Sequence, residues 1–177
     1  MNLIFLGPQG SGKSTQAKKL ADSLRLPYIE MGQIFRDKAK EEGEVAAKIR
    51  MSLEAGELVP DEIAVQILNE KLESADFRSG FILDGYPRNQ YQMDGLKTKI
   101  DKVFYVNVPD TEAIKRLLLR ARHDDTEELL KKRLEIYHEK TEPLLKNFRE
   151  QGTLIDIDGE KSVEDVAVQI QEKLNEK

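Results

Sequence analysis

Short apolar runs at Asn2 to Leu6, Phe81 to Leu83, Val103 to Val108 and Leu154 to Ile157 alternate along the chain with longer stretches of helical period. This is the rhythm of strands and helices in a parallel sheet. A shorter run at Pro27 to Ile29 supplies a fifth strand candidate. The pattern predicts an α/β fold, a doubly wound five-stranded parallel sheet with helices on both faces. After the first strand, Ala17, Leu20, Ala21 and Leu24 keep helical spacing, and near the end of the chain Val163, Val166, Ala167, Ile170 and Leu174 do the same. Ser162 followed by Asp165 resembles a capping box at the start of that last helix. Another helix is predicted to begin near Asp125, with Glu128 three residues on.

About 50 residues separate the second and third strand candidates, too many for one crossover helix. They read as several helices broken at Gly43, Gly56 and Pro60, with Met31, Ile34, Val45, Ile49 and Leu53 giving the insertion its apolar contacts. An insertion at the C-terminal edge of a parallel sheet stands beside the ligand crevice, so this flap is the expected home of a second substrate. There is no repeat, low-complexity tract or linker, and residues 1–177 are expected to form one domain.

Composition narrows the partners. Charged residues make up 34% of the chain and the net charge is -5, which argues against bulk attraction to nucleic acid or an anionic membrane. Anions must then be bound by local clusters of cations. The absence of cysteine excludes disulfides and thiolate zinc sites. The first strand is cut short by Gly7 and Pro8 without a basic leader or long apolar region, so a soluble, cytoplasmic protein is expected.

The chemistry is concentrated in three places. Gly7-Pro8-Gln9-Gly10-Ser11-Gly12-Lys13-Ser14-Thr15, between a strand and a helix, fits the P-loop template Gly-x-x-x-x-Gly-Lys-Ser/Thr. Its glycines let several backbone N–H groups turn inward, Lys13 brings a mobile cation, and the helix N-terminus adds positive dipole, so a nucleoside triphosphate is held by its phosphates. Asp84-Gly85-Tyr86-Pro87-Arg88 follows the third strand and puts a carboxylate at its end and an arginine toward the crevice. Such a carboxylate can order the water shell of Mg²⁺ on phosphates. Arg116, Arg120, Arg122 and Arg133 lie within 18 residues around Asp124-Asp125, a density of guanidinium groups suited to a transferring phosphoryl. His123 and His138, fifteen residues apart with no cysteine, make a poor metal pair and read as helix-surface residues.

Together these motifs resemble those of adenylate kinases and close nucleoside monophosphate kinases of the short-lid type. The resemblance runs from Met1 to the last helix. It includes Gln16 after the P-loop, Met31-Gly32-Gln33-Ile34-Phe35-Arg36, Gly56-Glu57-Leu58-Val59, the Asp84 to Arg88 motif with Gln92, and Arg122-His123-Asp124-Asp125 leading to Lys132-Arg133-Leu134. It implies a monomeric P-loop enzyme of nucleotide biosynthesis that transfers the γ-phosphoryl of MgATP reversibly to AMP. Carried over residue by residue, Gly10, Ser11, Gly12, Lys13, Ser14 and Thr15 cradle the ATP phosphates, Arg116 and Arg120 pack near ATP, and Lys161 lies beside its adenine. In residues 30–59, the monophosphate flap, Met31 stands at the acceptor base and Arg36 joins Arg88 as a phosphate clamp. Glu57, Leu58 and Val59 border the base, Gly85, Tyr86 and Pro87 line the acceptor side, and Gln92 hydrogen-bonds adenine. Arg122 and Arg133 bridge the two phosphates. Asp84 is the Mg²⁺ residue, acting through water, and Ser14 adds a hydroxyl that could touch Mg²⁺ directly, as in other P-loop proteins.

Three positions depart from the family pattern. Met31 replaces a usual threonine at the acceptor base, and Ser14 replaces a usual glycine. Only Ala121 separates Arg120 from Arg122, so residues 120–125 are a vestigial lid and the ratio of ATP hydrolysis to transfer is expected to exceed that of longer-lid relatives. A UMP/CMP or broad-specificity kinase and a non-catalytic nucleotide sensor stay open as alternatives. A GTPase does not fit, because Pro87 stands where Asp-x-x-Gly needs glycine and no Asn-Lys-x-Asp occurs.

Overall fold

Along the first strand, β1 (Asn2–Leu6), side chains alternate between two separate cores. Leu3 and Phe5 enter one; Ile4 and Leu6 enter the other. Period-two alternation between two apolar layers is what a sheet covered on both faces requires. The computed structural model describes residues 1–120 and 126–176. Five strands form one parallel sheet in the order β2-β3-β1-β4-β5, where β2 is Tyr28–Glu30, β3 Phe81–Asp84, β4 Lys102–Asn107 and β5 Leu154–Asp158. The expected α/β fold is therefore present, with β2 and β4 each displaced by one residue from the apolar runs that predict them.

Helix α1 (Lys13–Leu24) covers one face together with α9 (Val163–Asn175), burying Ala17, Leu20, Ala21, Val166 and Ile170 against Phe5, Ile82 and Phe104. Val163 departs from its expected place on that face. It is 43% exposed, because it opens the helix beyond the sheet, and its carbonyl instead accepts from Gln16 Nε2 at 2.9 Å. Ser162 caps the helix as its sequence suggests, accepting from the Asp165 N–H.

Between β2 and β3 the chain forms α2 (Met31–Lys38), α3 (Glu44–Glu54) and α4 (Asp61–Leu72). Gly43 and Pro60 stand immediately before α3 and α4, and Gly56 follows α3, so all three breakers act where the sequence puts them. Val45 is a correction. It is 51% exposed, since the buried stripe of α3 runs through Ala46 and Ile49, one residue round the helix.

After β3 come α5 (Gln90–Asp94), then α6 (Asp110–Arg120) behind β4, α7 (Glu127–Ile136), a π-helical turn Tyr137–Thr141, and α8 (Leu144–Glu150). The cap of α7 is Thr126, which accepts from the Leu129 N–H, one residue beyond the expected Asp125, which lies outside the described residues. Among the described residues, no helix is long and apolar enough to cross a membrane.

Candidate active site

The C-terminal ends of β1 and β3 are neighbours, with Phe5 paired to Asp84. The loop after β1 and the loop after β3 therefore open into the same crevice, at the point where the strand order diverges from β1. A cavity of about 400 Å³ lies there. One wall is the P-loop. Gly10 has φ +86° and Gly12 φ +87°, and a Cβ on Gly10 would collide with the Ala113 carbonyl, so the loop's curl requires glycine. Gly10, Gly12, Lys13, Ser14 and Thr15 line the cavity at the N-terminus of α1. Ser11 does not. It is buried inside the loop, where its hydroxyl accepts from the Lys13 N–H at 3.4 Å. Lys13 is itself buried, with Nζ donating to the Pro8 carbonyl at 3.2 Å.

Asp84 forms the floor. One oxygen, Oδ2, accepts from the Tyr28 hydroxyl at 2.9 Å, while Oδ1 is buried and has no hydrogen-bond partner among the described residues. Burial is the main cause raising the Tyr28 pKa, followed by the carboxylates of Asp84 and Glu30, so the phenol stays protonated and donates. An orphaned carboxylate oxygen beside Lys13 and Ser14 fits a hydrated Mg²⁺, which needs few protein ligands. Among the described residues there is no cluster of three or more acidic, His or Cys side chains that could hold a metal alone.

The opposite wall carries the arginines. Arg36, Arg88 and Arg133 line the same cavity. Burial lowers the Arg88 pKa; Asp84 opposes this, and the charges of Arg133 and Arg36 reinforce it. With Arg36 and Arg133 both close enough to Arg88 for their charges to act on it, the three guanidinium groups form an anion seat. Arg88 is held firmly: Nε donates to the Gly85 carbonyl at 2.7 Å, its N–H to Gln92 Oε1 at 2.8 Å, and its carbonyl accepts from Thr141 Oγ1 at 2.7 Å. Gln92 Nε2 and Asn89 Nδ2 both donate to Asp61 Oδ1 at 2.8 Å, anchoring the segment to the start of α4. The Gln92 amide thus serves the frame of Arg88, keeping one N–H for any ligand.

Glu57, Leu58, Val59 and Gly85 also line the cavity, as does Arg116, which is tied to Glu112 at 2.8 Å and to the Gly159 carbonyl at 2.9 Å. Besides Ser11, four further expected residues lie outside the cavity lining. Met31 is 1% exposed and belongs to the core with Ile49 and Leu83, because the β2–α2 junction turns it inward. Tyr86 and Pro87 are buried behind the wall, the Tyr86 hydroxyl donating to the Gln92 carbonyl at 2.8 Å. Lys161 is exposed and outside the cavity, where Gly159 makes the nearer contact. The side chain of Arg120, Arg122 and the rest of the 121–125 segment fall outside the described residues.

Sequence reasoning missed Glu30, Phe35, Tyr137 and Thr141 on the cavity wall. Tyr137 and Thr141 follow Arg133 by four and eight residues, so their spacing from that arginine was the available signal. Glu30 becomes visible only through its ladder pairing with Asp84.

The chain matches the family model described as adenylate kinase over residues 5–153. It is 40% identical over 179 aligned positions to adenylate kinase 1 of a Nostoc species, covering 97% of both chains. It is 38% identical over 174 positions to the adenylate kinase of Corynebacterium urealyticum, covering 94% of this chain and 95% of that one. The match to the adenylate kinase of Rickettsia bellii, 46% identical over 123 positions, spans 68% of this chain and 58% of that one. With a P-loop and an arginine seat facing one crevice, and with the Nostoc and Corynebacterium relatives matched across nearly their whole length, the chain belongs to the adenylate kinase family and is a nucleotide phosphotransferase.

Proposed function

We propose that the protein transfers the γ-phosphoryl of ATP reversibly to AMP, giving two ADP. The observation that carries this reading is the pairing of a P-loop on one wall with Arg36, Arg88 and Arg133 on the other, around a single cavity. A triphosphate needs only the first wall; a second wall of arginines answers a second phosphate.

The P-loop backbone and Lys13 hold the ATP phosphates, with Arg116 at their flank. Arg36 and Arg88 clamp the AMP phosphate, and Glu57, Leu58 and Val59 border its base within the flap of residues 30–59. Gln92 offers its remaining N–H to the adenine. Arg133, with Arg120 and Arg122 from the short lid, neutralises charge on the phosphoryl in transit. No general base is required, since the acceptor oxygen is already anionic. Catalysis consists of holding two phosphates in line and dispersing their charge. Ser14 and the free oxygen of Asp84 are the residues that would hold Mg²⁺ and its waters, and the ion, when bound, would supply charge neutralisation at the phosphates.

The test is diphosphate formation from MgATP with AMP, CMP, UMP, GMP and dAMP side by side, with an acceptor-free hydrolysis control. Turnover dominated by AMP supports the reading. A pyrimidine preference moves it to the UMP/CMP branch, and no transfer to any acceptor overturns it. The same control reads the hydrolysis expected of the 120–125 lid.

A further inference from the structure

Glu30 is a carboxylate in the acceptor half of the cavity that phosphoryl transfer does not call for. It ends β2, paired across the ladder with Asp84, and its side chain lines the cavity. Although it is the N-cap residue of α2, its side chain makes no capping hydrogen bond. Instead Oε1 accepts from Arg36 Nη2 at 2.9 Å. The same Nη2 donates to Gln33 Oε1 at 2.9 Å, and Arg36 Nε donates to that oxygen at 3.2 Å. The Nε/Nη2 edge of a guanidinium is one of those that grips phosphate oxygens in pairs, and here it is occupied by the chain's own acceptors. Arg88 differs: among the described residues it forms no ion pair within 4 Å, and its Nε is held by a backbone carbonyl.

We infer that Glu30 is a built-in competitor of the acceptor phosphate. It holds Arg36 in place in the empty cleft and is displaced when the phosphate arrives, so it sets the acceptor affinity. This rests on the reading of Arg36 as an acceptor clamp. Two effects act in the same direction. The Glu30–Arg36 pair, with side chains 28% and 29% exposed, must break, and the freed carboxylate then faces a dianion. The partial exposure keeps both effects modest. Glu30 thus restrains monophosphate affinity; toward the Asp84 side its Oε2 accepts from the Tyr28 hydroxyl at 3.5 Å, weaker than that hydroxyl's 2.9 Å bond to Asp84, so triphosphate binding is little affected.

The experiment compares wild type with Glu30→Gln, which keeps the shape and loses the charge, and Glu30→Ala, which also removes the oxygens and preserves the test if one variant folds poorly. AMP binding is measured by calorimetry without ATP, and KM for AMP and ATP by steady-state kinetics. The expected result is AMP affinity and KM improved about three- to tenfold, shrinking with added salt, and an unchanged KM for ATP. Arg36→Ala is run beside them. If it weakens AMP binding while neither Glu30 variant strengthens it, the competitor role fails and the clamp stands. If Arg36→Ala leaves AMP binding unmoved, the clamp reading fails and takes this inference with it.

Discussion

The two walls of the cavity are built in different ways. The triphosphate wall is a contiguous loop whose shape is set by backbone: positive φ at Gly10 and Gly12, and a helix starting at Lys13. The acceptor wall is a set of side chains from α2, α7 and the loop after β3, held by one another through Gln92, Asn89, Asp61 and Thr141. A wall made of backbone is fixed by what residues are forbidden. A wall made of side chains is fixed by which partners meet, and can therefore be retuned one contact at a time.

If that division is real, the two walls should fail separately. Arg88→Lys keeps a positive charge but loses the planar fork and its Nε bond to Gly85, and kcat should fall about 10³-fold while ATP affinity stays near wild type. Steady-state rates with a direct ATP-binding measurement check this. A matching loss of ATP affinity would mean that the walls act as one unit.

The reciprocal change is Gly10→Ala. The added Cβ collides with the Ala113 carbonyl and the φ of +86° is strained, at a cost of about 1–3 kcal/mol. Expected outcomes are a lower thermal midpoint and ATP binding weakened about tenfold, equivalent to roughly 1.4 kcal/mol, with AMP binding unaffected. Calorimetry with each nucleotide alone separates the two.

The same division explains what could be read from the sequence. The P-loop was legible because one continuous segment encodes both its conformation and its chemistry. Strands β1, β3 and β4 were legible because Leu3, Ile4, Phe5 and Leu6 and their counterparts are buried on both faces, β2 and β5 through short apolar runs, and the breakers Gly43, Gly56 and Pro60 act locally. Val45 and Val163 misled because apolar character places a residue on a stripe but does not say where the neighbouring layer ends. Met31 and Lys161 misled for another reason. A matched position carries over the place of a Cα, whereas the direction of a side chain depends on the junction around it. Glu30 and Tyr28 escaped notice because their partners, Arg36 and Asp84, meet them through a helical turn and a strand register.

A smaller effect is expected at the frame of the acceptor wall. Asp61→Ala leaves Gln92 Nε2 and Asn89 Nδ2 without their shared acceptor, which should cost about 1–2 kcal/mol of stability and raise the AMP KM several-fold. The ATP KM should not move. Chemical denaturation and steady-state kinetics with each substrate varied check both parts. A rise in the ATP KM of similar size would place Asp61 in a frame common to both walls.

The smallest effect tests a charged bridge between the π-helical turn and α6. His138 leaves the π-helical turn with Nδ1 2.7 Å from Glu142 and Nε2 3.0 Å from Asp110, which opens α6, the helix bearing Arg116. Each ring nitrogen faces a carboxylate, and only the imidazolium can donate to both. The hydrogen bond to Glu142 is the largest cause raising the His138 pKa; burial comes next and opposes it, and Asp110 adds to the rise. A raised pKa stabilises the fold fully below the unfolded value of about 6.5, and that contribution disappears as pH rises through the folded value. Wild type should therefore exceed His138→Gln in thermal midpoint below pH 6.5, by the equivalent of less than about 1 kcal/mol, since the pair is exposed. The gap should close as pH rises past the folded value, and a gap that widens instead would show that the ring acts neutral. If the AMP and ATP affinities follow the midpoint along the same pH course, the bridge couples the walls; if only the midpoint moves, they are independent even where the chain ties them together.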